Sequence, residues 1–401
     1  MIPGAVAHYG YIIAPPGGIK RGERFVGPGF LIECRQVYQQ VAASMIKEQV
    51  TARLEQFKPE HWQKDPVSAG FVRAIDMADG VLGIRLVLPF ADSAVLDSFK
   101  SLDAELCRLS GAHAVNWELR IDVATLARAN EAQGIGGVRN IIAVSSGKGG
   151  VGKSTTAVNL ALALKRQGAR VGLLDADIYG PSVPMMLGVS DAKPQSEDGK
   201  TMTPIQAHGL VANSIGFLVG ANDATVWRGP MASKALTQIL RETRWGELDY
   251  LVVDLPPGTG DIQITISQQV PTTGALVVTT PQNVALADAV KGINMFGKVN
   301  IPVLGVIENM SYHQCSRCGH QEALFGEGGG ARVAGEQQVA LLGRLPLDVN
   351  ICRHMDQGTP TLVADPDGHI AQAYLDIAAR VAAGLYFAGK SIPTSLYTKL
   401  V

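Results

Sequence analysis

Cysteine is scarce in this chain. Five residues in 401 cannot staple a fold of this size, so a disulfide scaffold is excluded. Charge is also sparse: charged residues make up 18% and the formal net charge is −1, which excludes a surface built to coat nucleic acid. No apolar run approaches the roughly 18–20 residues that span a bilayer. The N-terminus lacks the basic, apolar and small-residue succession of a secretory signal. Neither nucleic acid nor a membrane is therefore expected as a partner. The expected setting is cytoplasmic, where thiols stay reduced and a close cysteine pair points to metal rather than to a bridge.

What is abundant is apolar and small. Hydrophobic residues make up 46% and glycines number 45, enough to bury a large core in two or three domains. Residues 1–44 are rich in Gly and Pro without a sustained period; they read as an extension outside the working fold, with Met45 opening the first helix. "MIKEQVTARLEQF" sets Ile46, Val50, Leu54 and Phe57 at helical spacing. Residues 80–90 and 114–121 read as strands, and 92–109 as an amphipathic helix. Together 45–125 forms a small α+β domain, followed by a linker of small and polar residues at 126–137. Beyond it, short apolar runs alternate with helical segments: "RNIIAVSS", "RVGLLDAD", "DYLVVDLPPG", "GALVVTTP" and "PVLGVIENM". That alternation specifies a doubly wound α/β domain over 138–388, its mostly parallel sheet covered on both faces, and leaves 389–401 as a tail.

"SSGKGGVGKSTT" (145–156) lies between the first of those strands and a helix. Gly147-x-x-x-x-Gly152-Lys153-Ser154 fits the P-loop pattern, in which backbone N–H groups and a helix N-terminus cradle phosphates. The expected nucleotide contacts are Gly147, Lys148, Gly149, Gly150, Val151, Gly152, Lys153, Ser154 and Thr155. Lys153 reaches the β- and γ-phosphates of ATP, and the Ser154 hydroxyl ligates Mg²⁺. Asp254, ending an apolar strand, orients that Mg²⁺ through water. Asp175 and Asp177 end a second strand; Asp177 is expected to position the attacking water, with Asp175 a second phosphate-facing group or a support. Asn309 stands where a doubly wound sheet binds its ligand, either to pair with a base edge or to form a turn.

Cys315-Ser-Arg-Cys318 follows the Asn309 strand. Two thiolates at this spacing bind one metal centre but supply half the ligands of a tetrahedral zinc or a cubane cluster. His313, His320, Cys352 or His354 are the residues that would close a zinc site within one chain; a redox disulfide lacks its usual thioredoxin-like context. Cys34 and Cys107 have no partner in sequence, and Cys107 is expected to pack in its helix.

Lys148 is one lysine more than phosphate binding requires. "GKGGVGKST" resembles the deviant Walker A motif of the MinD/ParA class of ATPases. That resemblance implies that Lys148 acts catalytically on a partner subunit's nucleotide, in a homodimer formed around ATP; the plain alternative is a solvated loop lysine. "DADIYGPSVPMMLG", "VWRGPMASKAL", "DYLVVDLPPGTGDIQ" and "ENMSYHQCSRCGH" together look like the Mrp/ApbC iron–sulfur cluster carrier ATPases, from about residue 45 to the C-terminus. The small N-terminal domain then resembles the iron–sulfur assembly domain of bacterial Mrp proteins. The resemblance implies a carrier that hands its cluster to apo iron–sulfur proteins and meets a cluster-assembly scaffold. In a symmetric dimer two copies of Cys315 and Cys318 bring four thiolates to one axis, enough for a bridging [4Fe–4S] cluster. Cys352 and residues 1–44 fall outside the family pattern. A ParA/MinD-like positioning ATPase and a zinc-stabilised P-loop NTPase are the alternatives. The C-terminal "GKSIPTSLYTKLV" is not the basic amphipathic helix a MinD-like protein needs.

Overall fold

The computed structural model describes residues 28–218, 229–315 and 317–392. Residues 1–27 of the expected extension, Trp227 and its neighbours in "VWRGPMASKAL", Ser316, and 393–401 of the tail lie outside the described residues. Among those described, no helix is long and apolar enough to cross a membrane.

The N-terminal unit consists of α1 (Pro28–Glu55), β1 (Val72–Ala78), β2 (Val81–Leu88), α2 (Val95–Lys100), α3 (Asp103–Ser110) and β3 (Ala114–Ile121). α1 begins at Pro28, not at Met45, so the apolar spacing seen in sequence covers only its C-terminal part. Val50 and Leu54 are fully buried, whereas Val41 and Met45 are more than half exposed. The strands form one sheet in the order β1-β2-β3, antiparallel then parallel. The expected 92–109 helix is two, because Ser101 and Leu102 interrupt it. Trp62, Phe71, Phe90 and Phe99 pack edge to face with ring centroids 5.3–5.9 Å apart.

The larger unit runs β4 (Val138–Ser145), α4 (Lys153–Arg166), β5 (Val171–Asp175), α5 (Val183–Met186), β6 (Ile205–Ala207), β7 (Leu210–Ser214), α6 (Gly229–Arg241), β8 (Leu248–Asp254), α7 (Asp261–Gln269), β9 (Gly274–Thr279), α8 (Asn283–Lys298), β10 (Val303–Gln314), β11 (Gln321–Glu322), α9 (Gly329–Glu336), β12 (Ala340–Pro346), α10 (Val349–Asp356), α11 (Thr361–Ala364) and α12 (His369–Ala388). Its sheet has the order β11-β10-β9-β4-β8-β5-β7-β6, with β12 also on β10. Only β6 and β11 are antiparallel to their neighbours, so this is the mostly parallel, doubly wound α/β sheet the sequence implied. Every residue of β5, β8 and β9 is buried, as a strand covered on both faces must be. The register sets Val144 and Asp175 on either side of Asp254, so three loops leave the sheet at one carboxyl edge.

The stretch expected as a linker is strapped down. Leu126 N donates to Asn140 Oδ1 (3.0 Å), Ala129 N to the Thr272 carbonyl (2.9 Å) and Asn130 Nδ2 to the Val270 carbonyl (2.8 Å). The start of the tail joins it, with Leu126 bridging Ser391 and Ile392 N donating to the Thr125 carbonyl (2.9 Å). α12 ends in Tyr386 and Phe387, whose rings lie 5.4 and 5.8 Å from that of Phe90. One hydrophobic core therefore runs through both units.

Candidate functional site

β4 delivers the chain into the glycine loop at the carboxyl edge. Gly150 and Gly152 take φ of 81° and 83°, left-handed values that cost glycine no steric strain. Gly147 lies so close to the Asp288 backbone that a side chain would collide with it. α4 then starts at Lys153 without a side-chain cap, so its first amides remain open to an anion. A cavity of about 240 Å³ opens there, lined among others by Gly150, Lys153, Ser154, Thr155, Asp177 and Pro257.

Three carboxylates surround Lys153. Its Nζ, itself buried, is 2.5 Å from Asp254 Oδ1 and 3.4 Å from Asp177 Oδ2. Burial alone would lower the Lys153 pKa, but the charges of Asp254, Asp177 and Asp175 together outweigh it and hold the ammonium above its ordinary value. Asp254 is pushed up by its complete burial, with Lys153 pulling in the other direction. Among the described residues Asp254 Oδ2 and Asp177 Oδ1 are buried and find no hydrogen-bond partner. Such orphaned oxygens are costly unless something meets them. With the Ser154 hydroxyl they make a hard oxygen donor set at the mouth of a phosphate cradle, which fits Mg²⁺ and its waters.

Asp175 is different. Its Oδ1 accepts from Asp177 N (3.1 Å), and its Oδ2 from Val183 N (3.2 Å) and Ser214 Oγ (2.9 Å). Burial, then the Asp254 charge, raises its pKa to about 7. Both oxygens are committed, so Asp175 orders the loop carrying Asp177. Ser214 N in turn donates to Asn213 Oδ1 (2.8 Å), and Asn213 Nδ2 to Thr243 Oγ1 (2.6 Å), a support absent from the sequence reading because each residue is an ordinary polar one.

Asn309 faces the loop itself. Its Nδ2 donates to the Val151 carbonyl at 2.9 Å and would collide with any β-carbon at Gly152. One amide N–H thus braces the loop, leaving the second N–H and Oδ1 for the base edge expected from its position. Lys148 is half-buried; its carbonyl accepts from Ser146 Oγ (2.8 Å), and among the described residues its ammonium forms no ion pair. Lys153 is thus held by carboxylates, whereas among the described residues Lys148 pairs with none.

Cys315 and Cys318 stand at the tip of a short hairpin made by β10 and β11. Cys315 N donates to the His320 carbonyl (2.9 Å) and Gly319 N to the Cys315 carbonyl (2.9 Å), closing a tight knuckle in which Gly319 takes φ 72°. Backbone N–H groups of Arg317 and then Cys318 point at the Cys315 sulfur and hold its pKa below the ordinary thiol value. A knuckle that stabilises thiolate suits a metal centre. Among the described residues no group of three or more His, Cys, Asp or Glu is placed to hold a metal. His313 Nδ1 meets the Leu347 carbonyl at 3.2 Å, and Cys352 donates its thiol to Asp356 Oδ2 at 3.5 Å, which with the Asp356 charge raises the Cys352 pKa. One chain leaves the pair half-ligated.

A family model described as ParA, NUBPL iron-transfer P-loop NTPase, matches residues 137–382. The chain belongs to this family. Among relatives of the iron-transfer P-loop NTPase, the iron–sulfur cluster carrier protein of Haemophilus influenzae is 52% identical over 356 residues, 88% of this chain and 96% of its own. That of Escherichia coli K12 is 55% identical over 324 residues, 80% of this chain and 88% of its own. Among solved structures, a nucleotide-binding protein from Archaeoglobus fulgidus in complex with ADP is 36% identical with a TM-score of 0.52, covering 59% of this chain and 92% of its own.

Proposed function

We infer that this chain is an ATP-hydrolysing iron–sulfur cluster carrier. The observation that carries this reading is the pairing, in one domain, of a complete phosphate loop and acids with a cysteine knuckle that has too few ligands to close. The reading is completed by a homodimer, in which two copies of Cys315 and Cys318 present four thiolates to a bridging [4Fe–4S] cargo. Apo iron–sulfur proteins are its recipients and an assembly scaffold its donor, in the cytoplasm.

The residues divide the chemistry as follows. ATP enters with its phosphates on the loop amides of 149–155, and Lys153 leaves Asp254 for the β- and γ-oxygens. Ser154, and Asp254 through water, would hold Mg²⁺, which would supply charge neutralisation on the phosphates. Asp177 Oδ1 accepts a hydrogen bond from the attacking water and so points it at the γ-phosphorus. Lys148 reaches the partner's nucleotide and stabilises charge on the transferring phosphoryl group. Nucleotide state then biases the dimer between holding and releasing its cargo.

The test is protein purified without oxygen, with iron, sulfide and zinc counted and absorption recorded. About four irons and four sulfides per dimer are expected from ligand arithmetic. One tightly bound zinc per chain and no iron would replace the carrier with a zinc-stabilised NTPase.

A further inference from the structure

β10 serves two places. Its first half is an inner strand of the sheet between β9 and β12, and its second half runs out to the cysteine hairpin. At the join, Asn309, 6% exposed, holds the Val151 carbonyl of the phosphate loop. The next residue, Met310, takes φ 55°, uncommon outside glycine, and there the pairing with β12 jumps from Glu308 to Tyr312.

The residues on either side are clamped to other elements. Glu308, 1% exposed, accepts from Gly330 N at 2.5 Å and from Ser311 Oγ, while Arg344 of β12 donates Nε to Ser311 Oγ at 2.8 Å. Further on, the Tyr312 carbonyl accepts from Leu347 N at 2.7 Å, and Cys315 N donates to the His320 carbonyl. The covalent strand from Asn309 to Cys315, six residues on, is thus anchored by hydrogen bonds at Asn309, Ser311, Tyr312 and the Cys315 backbone. Packed elements move as units and do not deform continuously. Asn309 is fixed to the Val151 carbonyl, so any resetting of that carbonyl when phosphate meets the neighbouring amides would reach Asn309 directly.

We propose that Asn309 is a positioning residue that couples the setting of the phosphate loop to the geometry of the Cys315–Cys318 knuckle, with the Glu308–Ser311–Arg344 clamp keeping the intervening strand rigid. The inference rests on the nucleotide part of the function above and is independent of what the thiols carry.

The test therefore uses cluster-free, reduced protein. Alkylation rates of Cys315 and Cys318 are followed site by site by mass spectrometry, with and without ATP. In wild type ATP changes these rates several-fold. In Asn309→Asp, which cannot donate to the Val151 carbonyl, the change disappears. Arg344→Met, remote from the loop, retains ATP binding and hydrolysis but shows the change reduced; this variant decides the matter if Asn309→Asp fails to fold or to bind ATP. Thiol rates that ignore ATP in wild type overturn the coupling. So does an undiminished ATP response in both variants, which would assign it to shielding by the second subunit. Failure of the carrier reading shows separately, as absence of iron in the anaerobic protein.

Discussion

Lys153 and Asp254 form a buried ion pair, Nζ to Oδ1 2.5 Å, with Asp254 wholly out of solvent. If Lys153 is the cation that phosphate needs, it is already engaged, and ATP binding is then an exchange of partners. Removing Lys153 from Asp254 leaves a buried carboxylate that must find another positive charge.

Lys153→Met should therefore fail in two ways. Tight ATP binding disappears, because the ammonium is its main side-chain phosphate contact. The nucleotide-free protein also loses about 3–5 kcal/mol, the cost typical of stranding one partner of a buried pair. Calorimetric titration with ATP and urea unfolding read the two effects. A variant that binds ATP as wild type does would remove Lys153 from the phosphates.

Lys148→Ala should separate binding from turnover. Among the described residues its ammonium pairs with no acid, so stability and ATP affinity should stay near wild type. Hydrolysis should fall, by up to about 10³-fold if a lysine does part of what an arginine finger does. Steady-state phosphate release measures it, and unchanged release would make Lys148 a surface lysine.

Cys315→Ala and Cys318→Ala should each abolish cluster binding while sparing hydrolysis. Either change leaves at most two thiolates per dimer, too few for a cubane centre. Iron counts after anaerobic reconstitution, with ATPase rates beside them, give the result. A cluster that survives in both variants would move the cargo site elsewhere.

The phosphate loop was legible in sequence because its chemistry needs particular residues at fixed spacing, and the sheet because both-face burial demands continuous apolar runs. Other features depend on contacts that sequence leaves unstated. β1 was overlooked although Asp79-Gly80, at φ 48° and 75°, is the two-residue turn that joins antiparallel strands. Nothing in "ENMSYHQ" says that Asn309 faces Val151, since that pairing spans 158 residues. Residues 126–137 looked like a linker because small polar side chains say nothing of where their backbone groups bond.

A chain beginning at Met45 should match the full chain in melting temperature and ATPase rate. Val50 and Leu54, fully buried on α1, remain in it, and Val41 is exposed. A clear loss in either measurement would show that the residues before Met45 pack on the domain.

The shared core leads to the last expectation. Gln167 follows α4 and is 1% exposed; its Oε1 accepts from Ala94 N (2.9 Å) and Ser93 Oγ (3.2 Å), while Nε2 donates to the Leu375 carbonyl of α12 (3.4 Å). The phosphate-loop helix and the final helix are thus joined at one point to the N-terminal unit, and Tyr386 and Phe387 insert from α12 into its aromatic cluster. Two units that share one of their core clusters should unfold together. Phe90→Ala should cost about 3–5 kcal/mol, as large aromatic deletions do, and should lower a single thermal transition. ATP should raise that same transition, and in hydrogen exchange it should slow the amides of β1–β3, which do not line the nucleotide cavity. Two transitions, of which ATP moves one and Phe90→Ala the other, would show instead that the N-terminal unit folds independently of the ATPase domain.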